Sequence, residues 1–153
     1  MSSGAHVLLG LLIKNELVIR ELYETFAKMF PDHHSFWHRI ALDEKKHADW
    51  LEMLRFEPIL NDAFLKDFAV KPQTIESSIS YIEQLIEKAQ GGHYRLLEAL
   101  CLARDIENSL LEKQFSNISN SVPEEIRLVL MQLADDTQRH RNELMATLNS
   151  ATQ

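Results

Sequence analysis

Glu44 and His47 place a carboxylate and an imidazole three residues apart within the run Phe36 to Glu52. On a helix that spacing brings both side chains to one face, about a turn apart. The rest of that face is apolar, since Trp37, Ile40, Leu51 and Leu54 share a stripe with Glu44 and His47, stepping by three and four. An ionised carboxylate inside such a seam is costly unless something cationic pairs with it. A metal ion inside a helical bundle is one setting that calls for Glu-x-x-His in mid-seam. The tetrapeptide is common by chance, so the remaining ligands have to come from elsewhere in the chain.

Three further helical patterns supply them. From about Ala5 to Phe30 the seam reads Leu8, Leu12, Glu16, Ile19, Tyr23, Phe26 and Phe30, with Glu16 as its charged interruption and Tyr23 two turns further on. From about His93 to Ile118 it reads Leu96, Leu100, Ala103, Glu107, Leu110 and Gln114. From about Pro123 to Leu148 it reads Ile126, Leu130, Leu133, Thr137, His140, Leu144 and Thr147. The candidate metal ligands are therefore Glu16, Glu44, His47, Glu107 and His140. The two helix pairs repeat one another: Glu16 precedes His47 by 31 positions and Glu107 precedes His140 by 33. At about 1.5 Å of rise per residue these positions come to a similar level near mid-bundle. Any one of the glutamates alone reads as a residue at a seam edge, and Tyr23 alone reads as core.

The elements that must hold these residues follow from the breaks. Pro31 and Asp32 stop the first helix, and the connection is so short that the second helix, about His33 to Phe56, must run antiparallel to it. Between Glu57 and Gln73 the periodicity weakens to an amphipathic patch of Ile59, Leu60, Phe64, Leu65 and Phe68, bracketed by Pro58 and Pro72. A helix from Thr74 as cap to Gln90 follows, with Ile75, Ile79, Ile82, Leu85 and Ile86 as its apolar side. Gly91 and Gly92 end it. Asn117 to Asn120 form a polar break, and Ser121-Val122-Pro123-Glu124 reads as a capping box. The expectation is an all-α fold over residues 1–153 as one domain: two antiparallel helix pairs joined by a long crossover that carries an extra helix.

Composition narrows the function classes. The chain has 153 residues, of which 45% are hydrophobic and 25% charged, ordinary for a globular protein with a full core. A formal net charge of -7 argues against nucleic acid as the main partner, because phosphate binding needs a basic surface. Cys101 is the only cysteine, which excludes an internal disulfide and a thiolate metal knot and suits a reducing cytoplasmic setting. The apolar run Val7 to Ile13 is too short to span a bilayer and lacks the basic flank and cleavage site of a signal sequence.

With these residues in place, the sequence resembles the rubrerythrin-like branch of the ferritin-like superfamily, the di-iron four-helix bundles. The resemblance covers nearly the whole chain and rests on Glu16 with Tyr23, Phe26 and Ala27 behind it, on Glu44-x-x-His47, on Ala103 with Glu107, and on His140. It implies that Glu16 and Glu107 are terminal carboxylates, Glu44 a bridging one, and His47 and His140 the nitrogen ligands of one or two iron ions, with manganese or zinc as alternatives. It further implies oxidation of Fe(II) or reduction of peroxide or dioxygen, with Tyr23 near the reacting centre; a homodimer is expected on either reading. The second bridging glutamate of the family would stand at position 137, where this chain has Thr137. One anion fewer predicts a weakened or mononuclear site, or one that fills only with an exogenous oxygen ligand. Asp136 lies about 100° around the helix from that seam, and Glu143 a turn beyond His140. Without a four-cysteine rubredoxin-like domain, any redox cycle would need an external electron donor.

The rival expectation is a bundle that has lost metal binding and acts as a structural or interaction module. His33, His34 and His38 read as exposed residues around the first turn, and His93 and Tyr94 as a helix start. Trp37, Trp50, Phe64 and Phe68 read as cover for a core or dimer face, and Cys101 as an inert buried thiol.

Overall fold

The computed structural model of the chain describes residues 4–55, 71–109 and 123–152. Ser2 and Ser3, the amphipathic patch from Ile59 to Phe68, Leu110, Gln114, the break at Asn117 to Asn120 and Ser121 lie outside them. Five α-helices account for nearly all the described residues, and no strand occurs among these: α1 (Gly4–Met29), α2 (His34–Arg55), α3 (Pro72–Gln90), α4 (Leu96–Ser109) and α5 (Glu124–Ala151). The chain is all-α, as its periodicity predicts. It falls into two compact units, Met1–His93 and Tyr94–Gln153.

In the first unit α1 packs against both α2 and α3. A helix gripped on two sides must bury two stripes, and α1 does. Leu8, Leu12, Glu16, Ile19, Tyr23 and Phe26 are buried as the seam predicts, and Leu9, Asn15, Val18, Leu22 and Ala27 are buried as well. The turn from α1 to α2 is a single 3-10 turn, Pro31–His33, entered through Phe30 at φ -122 and ψ 77. Pro31 has no N–H to continue the α1 ladder, while the His33 N–H donates to the Phe30 carbonyl at 2.9 Å. So tight a turn reverses the chain and lays α2 antiparallel to α1. Trp37 anchors their contact: it is fully buried, with ring centroids 4.8 Å from Phe26 and 5.7 Å from Tyr23.

Helix α3 starts earlier than its expected cap. Lys71, extended at φ -85 and ψ 142, holds the N-cap position without a side-chain bond, and Pro72 is the first helical residue. The fixed φ of proline suits a first turn, where its missing N–H is not needed. Thr74 lies inside that turn, its N–H donating to the Lys71 carbonyl at 3.0 Å. Ile75, Ile79, Ile82, Leu85 and Ile86 are all buried, with Ala89. The helix ends at Gly91, and Gly92 takes φ 75, a conformation that favours glycine.

The second unit is α4 packed against α5. Helix α4 begins at Leu96, so His93 and Tyr94 form a lead-in instead of a first turn. The Arg95 N–H donates to Glu98 at 3.1 Å and the Arg95 guanidinium to the same oxygen at 3.3 Å, which fastens the start of α4. These bonds hold the Glu98 carboxyl below its ordinary pKa. The buried side of the unit is Ala99, Leu100, Ala103, Ile106 and Glu107 facing inward from α4, with Ile126, Leu130, Leu133, Thr137, His140 and Leu144 from α5. Cys101 is half-buried and not enclosed as expected, because it is off this stripe. No described helix is long and apolar enough to cross a membrane.

Candidate metal centre

Each unit carries one group of buried polar side chains, and in both the groups stand at the predicted positions. In the first unit Glu16 arrives from α1 and Glu44 and His47 from α2. All three are at most 1% exposed. One ligand atom from each lies within 4.8 Å of the others. His47 Nδ1 is 3.4 Å from Glu44 Oε2 and 3.8 Å from Glu16 Oε2. The helical spacing of Glu44 and His47 accounts for the first contact. The second requires the antiparallel turn at Pro31, which brings mid-α1 against mid-α2.

Glu16 is the most demanding member. Both of its carboxylate oxygens are buried without a hydrogen-bond partner among the described residues. Among the described residues no lysine or arginine pairs with it, and its sole ion-pair partner is the His47 ring. A desolvated carboxylate costs several kcal/mol even after relaxation, so this arrangement calls for a positive charge at the centre of the group. A protonated His47 would supply one charge against two carboxylates. A divalent cation would balance both, and two carboxylates with one imidazole are the hard-to-borderline donors that Fe(II), Mn(II) or Zn(II) accept. The residues present therefore fit a metal ion.

In the second unit His140 Nδ1 lies 3.7 Å from Glu107 Oε1, and both side chains are fully buried. Thr137, one turn before His140 on α5, is 3% exposed, and its hydroxyl oxygen is buried without a hydrogen-bond partner among the described residues. Asp136, one residue round the helix from the seam, is buried too. Its carboxylate accepts from Gln132 at 3.5 Å and pairs with Arg139 at 3.4 Å, which holds it along its own helix. Glu143 pairs with the same Arg139 at 3.7 Å.

Tyr23 is buried in the core, roughly 10 Å along the α1 axis from Glu16, which is too far to ligate an ion held there. Sequence reasoning missed Asn15, beside Glu16 and 4% exposed. Its side-chain oxygen accepts a hydrogen bond from the Ser78 hydroxyl of α3 at 2.9 Å. The signal was there, since two polar residues in succession inside an apolar helix mean two buried faces.

Fold and groups together define an all-α protein with buried carboxylate–imidazole clusters able to hold a metal ion. Among protein-family models, curated proteins and solved structures, none matches the chain.

Proposed function

We propose that the chain is a ferritin-like four-helix bundle protein that binds iron, or manganese in its place, at Glu16, Glu44 and His47. The observation that supports this most directly is the fully buried Glu16 carboxylate, without a hydrogen-bond donor among the described residues, beside a second carboxylate and an imidazole. On the sequence repeat, Glu107 and His140 form the second half-site of the same bundle, weaker by the carboxylate that Thr137 replaces. Bound iron would supply one-electron chemistry for the oxidation of Fe(II) or the reduction of peroxide. The chain's own part is to hold the ion with carboxylates that lower its potential, to fix its geometry through His47, and to keep water out with the packed ring of Trp37 and the α1 seam. Tyr23, two turns along α1, would act only at a distance, as a redox-active residue and not as a ligand. The protein would work as a homodimer with a separate electron donor.

A second reading has its own support. Both histidines face a glutamate at ion-pair distance, so protonated imidazoles could neutralise part of the buried charge in a bundle that has lost metal binding. The two readings part on one titration. Under the metal reading, anaerobic Fe(II) or Mn(II) raises the melting temperature of the purified chain, and Glu44→Ala removes that rise. No rise in the wild type would leave the structural module standing. For catalysis, peroxide turnover by the iron-loaded protein must exceed that of Glu16→Ala; equal rates would leave binding alone.

A further inference from the structure

We propose that His34 and His38 form a separate metal site on the surface at the start of α2, where the two imidazoles chelate one nitrogen-preferring divalent ion, Cu(II) or Zn(II). The site shares no residue with the buried centre and does not depend on it. Its origin lies in the turn between α1 and α2. In a continued α1 the N–H of residue 31 would donate to the Ala27 carbonyl, but residue 31 is proline and has none. The His34 ring takes that place, with Nδ1 3.2 Å from the Ala27 carbonyl oxygen. A carbonyl only accepts, so Nδ1 carries the proton and the lone pair of the neutral ring is on Nε2. Histidines that ligate metals are commonly held in this way, the other ring nitrogen donating to a backbone carbonyl.

Capping of α1 accounts for Nδ1 of His34 but not for what stands against the ring. His38 follows four residues later, one turn along the same face of α2, and both residues are exposed. The two rings stack with centroids 5.6 Å apart and planes 9° from parallel. A ring centre stands about 3 Å from an ion that its nitrogen ligates, so two rings on one tetrahedral ion have centres about 5 Å apart. The pair is already close to that spacing, and closing on an ion asks for a tilt of the His38 ring, which its exposure permits. Two imidazoles with solvent completing the shell suit Cu(II) best among the divalent ions of the series, with Zn(II) weaker.

Cu(II) alone is the probe, added below one equivalent to the full chain and followed through the ring-proton resonances of the histidines. The paramagnetic ion should broaden His34 and His38 first and leave exposed His93 sharp. By calorimetry, His34→Ala and His38→Ala should each weaken binding at this site by about tenfold or more. The double variant should bind little more weakly than either, because a chelate is lost with its first ligand. His93→Ala should bind as the wild type does. Acidification should release the ion, since an imidazole must be deprotonated to ligate. Broadening of His93 alongside the pair, or wild-type affinity in His38→Ala, would mean an adventitious ion only and overturns the proposal. Broadening confined to His47 overturns it as well, and leaves the buried centre standing.

Discussion

His47 Nδ1 lies 3.8 Å from Oε2 of Glu16, a residue 31 positions earlier in the chain and on a different helix. Nothing else among the described residues donates to or ion-pairs with that carboxylate. The pair is therefore a point where the fold holds charge at a cost, and it sets the sign of the first prediction.

Without metal, Glu16→Leu should stabilise the chain by about 1–3 kcal/mol, since a desolvated carboxylate gives way to an apolar group of similar size. With Mn(II) at about a hundred times its dissociation constant, the wild type should gain about 2.7 kcal/mol and the variant almost none. Chemical denaturation with and without Mn(II) measures both. A destabilised Glu16→Leu variant would show that the carboxylate serves the metal-free fold.

Trp50 should report on the ion. Its ring centroid is 5.6 Å from that of His47, whereas Trp37 lies roughly 15 Å further along α2. Loading a paramagnetic ion should quench tryptophan emission in the wild type. Trp50→Phe should lose most of that quenching while binding the ion as before, as read by calorimetry. Equal quenching in the variant would place the ion elsewhere.

The Ser78–Asn15 hydrogen bond ties α3 to α1, and its two ends should differ. Ser78→Ala leaves the buried Asn15 oxygen without its donor and should cost about 1–3 kcal/mol. Asn15→Ala leaves a half-buried serine hydroxyl that can turn to water, so the lost bond itself should cost about 1 kcal/mol. A double-mutant cycle on urea midpoints separates the coupling from the single effects.

Gly10 sits mid-helix in α1, where alanine should gain roughly 1 kcal/mol in helix propensity. A Cβ there would meet the Arg55 guanidinium at 3.3 Å, the far end of a flexible side chain. That guanidinium also donates to His6 Nε2 at 3.1 Å. Gly10→Ala should therefore stabilise by less than the full amount, and the full gain should appear when Arg55→Ala is added. A net loss in Gly10→Ala would mean that Arg55 cannot give way.

Glu98 carries a pH dependence. Its carboxyl is held below the usual range by the Arg95 backbone N–H first and the Arg95 side chain second. A depressed folded pKa contributes stability that is present above the unfolded pKa and is lost as pH falls through the folded one. Because Glu98 is solvent-exposed the effect should be local: amide protection in the first turn of α4, taken relative to intrinsic exchange, should fall on acidification through the carboxylate range. In Glu98→Gln that acid-side change should flatten.

The seams of α1, α2, α3 and α5 were legible because burial follows the helical period. Leu8 to Phe26, Trp37 to Leu54, Ile75 to Ile86 and Ile126 to Leu144 are buried where the steps of three and four put them. Helix starts were less legible. Pro72 displaced Thr74 because a proline-led first turn needs no side-chain cap, and α4 waited until Leu96 because Arg95 and Glu98 bond to each other. The burial of Asn15 and Asp136 was not legible either. A stripe marks one face, and these residues lie on a second face that only a further packed element or an ion pair can close over.

By itself, then, the chain's order of residues determined the helices, their core faces, and the five candidate ligand positions that interrupt them, because those depend on local periodicity. Tertiary structure alone decided that His47 turns Nδ1 toward two carboxylates, and that neither the Glu16 carboxylate nor the Thr137 hydroxyl finds a hydrogen-bond partner among the described residues. Those outcomes depend on which groups another helix brings within reach, and no periodicity along a single helix encodes that distance.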